Sequence, residues 1–180
     1  MNNSLTIIGA GAWGSALAIA LSHKFDKIFL LTKDKASIDA LGKQHSALSK
    51  PYNQNIFIGY SYEVINHSKA VLIATPSSAF GSVLKNIKDN VNDIPIAWVT
   101  KGFDPETANL LHETFNHYLT GHHPCVISGP TFAAEIVEEK PAAIVVASKD
   151  EKTRDYWSDI IQTETLRAYT NSDIVGVQVG

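Results

Sequence analysis

"LTIIGAGAWGSALAIALSHKF", residues 5–25, is the stretch on which the reading of this 180-residue chain turns. Residues 5–21 carry no charge, which suits a membrane signal, a piece of core or a binding turn. A secretory signal needs a positively charged start, a short apolar stretch and a small-residue cleavage site. Small residues are present around Ala18 and Ala20, but no Lys or Arg precedes Lys24. Gly9, Gly11 and Gly14 also interrupt the run, which weakens a continuous helix. The run is too short and too Gly-broken for a spanning helix.

Split in two, the stretch makes sense. Leu5, Thr6, Ile7 and Ile8 form a short segment of the kind a buried parallel strand uses. Trp13, Leu17, Ala20 and Leu21 then fall on helical spacing. Between them Gly9, Gly11 and Gly14 read G-x-G-x-x-G. The first glycine permits a tight turn, the second lets a pyrophosphate approach the backbone, and the third lets the helix pack closely. The free N–H groups and positive dipole end of the helix then face the phosphates. A plain strand-turn-helix without ligand is the alternative. The position between a strand and a helix favours the dinucleotide reading.

Composition fits a single globular domain: 44% of the residues are hydrophobic and 18% charged. A net charge of −3 offers no basic surface for nucleic acid. Cys125 is the sole cysteine, which rules out an internal disulfide and points to a reducing compartment. Strand-like apolar runs recur at Lys27–Leu31, 70–74, 96–100, 125–128, Ala142–Ala147 and 166–169. Helical patterns fall at 79–87, at 107–119 with Asp104 or Thr107 as candidate caps, and at Glu151–Ile161. Residues 45–55, broken by Pro51, read as a loop. The alternation predicts an α/β fold: a Rossmann-like, doubly wound, mostly parallel sheet with helices on both faces.

In such a sheet the ligand lies outside the carboxyl ends of the strands. The segments to read are therefore 9–14, 32–34, 75–78, 101–103 and 129–133. After the second strand, an acidic residue usually bonds the adenosine ribose. Here Thr32-Lys33-Asp34 leaves three readings open. Lys33 meets a 2′-phosphate, Asp34 takes the acidic role, or both are turn surface.

Taken together, "GAGAWGSALA", "ATPSSAF", "TKGFD", "ISGPTFAAEI" and "NSDIVGVQVG" resemble the bacterial NAD(P)-dependent glycerol-3-phosphate dehydrogenases, in order and over the whole chain. The resemblance implies a cytoplasmic oxidoreductase that reduces dihydroxyacetone phosphate to sn-glycerol 3-phosphate for glycerophospholipid synthesis. Its cofactor is NADPH or NADH, with NADPH favoured by Lys33. It also implies roles residue by residue. Ala12 and Trp13 contact the nucleotide, although relatives often carry Ser at the Ala12 position. Pro76 lines the nicotinamide, Lys101 touches cofactor and substrate, Gly129 and Thr131 touch substrate, and Ala133 touches cofactor. Residues 1–180 would be the cofactor-binding domain, with the proton-donor lysine and a helical substrate domain expected beyond Gly180. No catalytic residue is thus expected in this chain. The resemblance implies no membrane insertion and allows a homodimer of the full-length enzyme. The alternative function is a non-catalytic NADP(H)-binding sensor or docking module.

Other side chains read as structural. His112 and His117 lie on different helical faces, and His122-His123 adjoins Pro124 in a loop, so no metal site is expected. Trp98 and Trp157 belong in or near the core. Cys125 sits in an apolar strand without an activating partner.

Overall fold

The uncharged run resolves into a strand and a helix. In the computed structural model, which describes residues 3–180, Ser4–Ile8 is β1 and Ala12–Leu21 is α1. The remaining strands are β2 (Lys27–Leu31), β3 (Ile56–Gly59), β4 (Ala70–Ile73), β5 (Ile96–Trp98), β6 (Val126–Ser128), β7 (Ala142–Ala147) and β8 (Leu166–Asn171). The helices are α2 (Lys35–Leu41), α3 (Ser77–Ile87), α4 (Leu111–Tyr118), α5 (Ala133–Val137), α6 (Glu151–Ile161) and α7 (Ile174–Val179). Among the described residues, no helix is long and apolar enough to cross a membrane.

All eight strands join one sheet in the order β3-β2-β1-β4-β5-β6-β7-β8. Every pairing is parallel except β6 with β7. The first six strands thus follow the 3-2-1-4-5-6 order of a doubly wound sheet, whose direction of winding reverses between β1 and β4. This bears out the fold expectation.

Side chains alternate across the sheet, and each face has its own core. Ile7 and Leu30 point to one face, into a core shared with Leu17, Leu21, Ile136, Trp157 and Ile161. Ile8, Leu31 and Ile73 point to the other, under Phe80, Leu84 and Phe115. There Trp98 packs between Phe80 and Phe115, with ring centroids 5.6 Å and 5.3 Å away. Helix α1 carries no charged residue because it lies under α5, with Ala16, Leu17, Ala18 and Leu21 fully buried. At its end, Lys24 reaches across to α6. Its Nζ donates to the carbonyls of Asp159 (2.7 Å), Ile160 (3.2 Å) and Gln162.

Several boundaries differ from the sequence reading. Helix α4 starts at Leu111 rather than near Thr107, because Ala108 adopts a left-handed φ of 56° and Phe103 bridges Leu110. The Glu113 carboxylate accepts from the Leu110 amide at the helix start, and Asp104 turns inward instead of capping. Helices α2 and α5 and edge strand β3 were not anticipated.

Candidate cofactor and substrate site

The glycine turn is built from steric necessity. Gly9 has φ of 116°, and a Cβ there would lie 2.5 Å from the Ala74 carbonyl oxygen. A Cβ on Gly14 would lie 1.9 Å from the Gly9 carbonyl oxygen. These two glycines let β1, β4 and α1 converge. Gly11 differs, because nothing lies within 4 Å of its would-be Cβ. It begins α1 in an extended conformation with no side chain capping the helix. The first amide of the turn to find a helical acceptor is that of Ser15, on the Gly11 carbonyl at 2.9 Å. The amides of Ala12 and Trp13, at the crevice-lining start of α1, have no helical acceptor of their own, the arrangement that receives phosphate. An open cradle at Gly11 beside unsatisfied amides fits a pyrophosphate.

The turn opens into a crevice of about 1050 Å³ at the carboxyl ends of β1, β2, β4 and β5, the place where doubly wound folds bind ligands. Of the residues singled out from sequence, Gly9, Gly11, Ala12, Trp13, Lys33, Pro76, Lys101, Thr131 and Ala133 all line it. Gly14 and Gly129 do not. Gly14 is buried beneath Gly9. Gly129 packs against β7, where a Cβ would meet the Ala143 carbonyl oxygen at 2.8 Å. Its own carbonyl accepts from Lys101 Nζ at 3.3 Å and from the Thr131 amide at 3.0 Å.

The end of β2 separates Lys33 from Asp34. Asp34 caps α2: its Oδ1 accepts from the Ser37 amide at 2.8 Å and from the Ser37 hydroxyl at 2.7 Å. Those bonds, with Lys33 adding a smaller share, hold the Asp34 carboxyl below its ordinary range. Lys33 lies 3.9 Å from Asp34, and its side chain is 83% exposed at the mouth of the crevice.

The sequence reading missed part of the wall. His45 and Ser46 reach the crevice from the loop after α2, and Tyr62 from a short 3-10 turn. Only the loop character of residues 45–55 was visible in sequence. Tyr52 in that loop hydrogen-bonds Ser15 of α1 at 2.9 Å, tying the loop to the glycine turn. Thr75 also lines the crevice, and its buried hydroxyl has no hydrogen-bond partner. Away from the site, burial pushes the Cys125 thiol up, and no cluster of His, Cys, Asp or Glu among the described residues is arranged for a metal.

Strand order, glycine turn and a crevice at the switch point define a dinucleotide-binding Rossmann domain. A family profile described as "NAD-dependent glycerol-3-phosphate dehydrogenase N-terminus" matches residues 4–154, and the chain belongs to this family. It is 51% identical to glycerol-3-phosphate dehydrogenase [NAD(P)+] of Vesicomyosocius okutanii, with all of this chain and 55% of that protein covered. It is 48% identical to the enzyme of the same name from Ruthia magnifica, with the same coverage. The crystal structure of a glycerol-3-phosphate dehydrogenase from Coxiella burnetii superimposes with a TM-score of 0.91 at 28% identity, over 99% of this chain and 56% of that one. The chain therefore spans about half the length of the curated relatives it matches. The cofactor of the family is NADH or NADPH.

Proposed function

We propose that residues 1–180 form the NAD(P)-binding domain of a longer sn-glycerol-3-phosphate dehydrogenase. That enzyme reduces dihydroxyacetone phosphate to sn-glycerol 3-phosphate for glycerophospholipid synthesis in the cytoplasm, as a homodimer. Relatives nearly twice as long, carrying that activity in their names, support the division. In this reading the proton-donor lysine and the phosphate clamp belong to the second half.

The observation that carries the proposal is the open cradle at Gly11, which lines one crevice together with Lys101. The bound nicotinamide supplies the hydride. The amides of Ala12 and Trp13 hold the pyrophosphate, and Lys33 holds the adenosine-side phosphate. Pro76 and Ala133 flank the nicotinamide half. Lys101, oriented by the Gly129 carbonyl, neutralises the anionic substrate, with Thr131 beside it.

The test is calorimetry of the chain with NADPH, followed by NADPH oxidation in the full-length protein. Binding by the chain, and oxidation that depends on dihydroxyacetone phosphate in the full-length protein, are expected. A folded chain that leaves both NADPH and NADH unbound at millimolar concentration would overturn the proposal.

A further inference from the structure

Resting on this reading of Lys101, we infer that Asp104 is a positioning residue that holds Lys101 at the rim of the crevice. Asp104 is 8% exposed, a buried carboxylate. Its Oδ1 accepts from the amides of Glu106 (3.0 Å) and Thr107 (3.4 Å), and its Oδ2 accepts from the Thr114 hydroxyl of α4 (2.7 Å). Its amide donates to the Asn109 carbonyl and its carbonyl accepts from the Ala108 amide. From the other side, Gly81 of α3 brings its would-be Cβ to 3.9 Å from Oδ2. Both polar ends of Asp104, side chain and backbone, are thus committed to the 104–109 loop and α4.

What this anchors is the short path back to the site. Upstream, the Thr100 hydroxyl donates to the Thr75 carbonyl at 2.8 Å, tying that segment to the turn that follows β4. Between Thr100 and Asp104 lie Lys101, Gly102 and Phe103, all exposed. Gly102 sits at φ 95°, a swivel that most side chains would not tolerate. Lys101 makes one weak contact of its own, to the Gly129 carbonyl at 3.3 Å. A three-residue exposed span with a glycine at its centre keeps a fixed course only if both ends are fixed. Thr100 fixes one end; at the other, Phe103 bridges Leu110 and the Asp104 side chain holds the 104–109 loop that carries this bridge. No hydrogen bond of Asp104 reaches the crevice, so it acts through Lys101.

The experiment uses the ¹⁵N-labelled chain and the variants Asp104→Ala, Thr114→Val, Asp104→Asn, Lys101→Met and Lys101→Met/Asp104→Ala. Backbone heteronuclear NOEs at residues 101–103 report the span directly. Affinities for NADPH and for 2′,5′-ADP, which lacks the nicotinamide half, report the site. The expected result is lower order at 101–103 in Asp104→Ala and, to a smaller degree, in Thr114→Val. NADPH binding should weaken about tenfold in Asp104→Ala, the scale of one charge-assisted hydrogen bond, with 2′,5′-ADP unaffected. Asp104→Asn should restore both, since its amide oxygen still accepts the two loop amides and its NH₂ can donate to Thr114. The double variant should bind NADPH no more weakly than Lys101→Met, because a residue that acts only through Lys101 adds nothing once Lys101 is gone.

Unchanged order at 101–103, or penalties that add in the double variant, overturns the inference. If Asp104→Ala does not fold, the NOEs of Thr114→Val decide it. If Lys101→Met binds NADPH normally while Asp104→Ala loosens the span, the cofactor role of Lys101 falls and the anchoring by Asp104 stands.

Discussion

The crevice has two walls built on different principles. The glycine turn is made of backbone: Gly9 and Gly14 are tight against neighbouring main chain, and the ligand-facing groups are amides. The opposite rim is made of exposed side chains on short loops, Lys101 and Phe132 among them. A backbone wall is set once the strand and helix pack, so its function and its stability cannot be separated. A side-chain wall leaves stability untouched but needs anchors, such as Asp104, to have a shape at all.

The sharpest way to break this contrast is a single methyl group on each kind of glycine. Gly14→Ala drives a Cβ to 1.9 Å from the Gly9 carbonyl. It should cost about 3 kcal/mol or more in urea unfolding, beyond ordinary overpacking because backbone must move. Gly11→Ala has open space and an allowed φ of −71°. It should leave the urea midpoint nearly unaltered while weakening NADPH binding. Equal stability losses in the two variants would erase the distinction.

On the rim the signature should invert. Lys101→Met in the full-length enzyme should lower kcat/KM by roughly ten- to a hundredfold, as expected for losing a charge-assisted bond of about 1.5–3 kcal/mol. Its thermal melt should match wild type. A melt that drops with activity would move Lys101 to the structural side.

Lys33 offers a smaller effect at the far end of the same crevice. Lys33→Glu should weaken NADPH about tenfold and leave NADH nearly unaffected, read by calorimetry. Similar wild-type affinities for the two, unchanged by the substitution, would remove Lys33 from the site.

The smallest effect concerns acid. Hydrogen bonding, from Thr114 first, holds the Asp104 carboxyl below its ordinary range. A group depressed on folding stabilises the protein above its unfolded pKa of about 3.9 and loses that contribution as pH falls through its lower folded value. Thr114→Val should therefore be measurably less stable than wild type at neutral pH, and the gap should narrow progressively in melts taken below the unfolded pKa. A gap that does not narrow with acidification while the protein stays folded would show that the carboxylate is not what Thr114 supports.

The legibility of the molecule in its sequence divides along the same line. The glycine spacing announced the β1–α1 turn because Gly9 and Gly14 each answer a steric demand, while Gly11 leaves the approach to the turn open. Strands buried on both faces, such as β4 with all four residues buried, announced themselves as unbroken apolar runs. Helix α2 gave no signal because it buries none of its residues, so no apolar stripe exists to be read. Strand β3 sits at the sheet edge with only Ile56 buried. On the rim, Lys101 and Thr131 were visible through the motifs they lie in, whereas His45, Ser46 and Tyr62 arrive by loop path. The role of Asp104 was hidden for a related reason. A polar residue a few positions before a helix reads as a cap, and only the left-handed turn at Ala108 makes it an anchor instead.

The reversal between β6 and β7 bears on how the chain folds. Strands β7 and β8, with α6 between them, form a βαβ unit local in sequence, joined to the rest of the sheet through one antiparallel seam of three residue pairs. Lys24, at the end of α1, is a polar clasp holding that unit to the nucleotide half. Such a unit has the makings of a foldon that opens and closes as one piece. Its amides should then exchange with solvent together, ahead of those in β1 and β4.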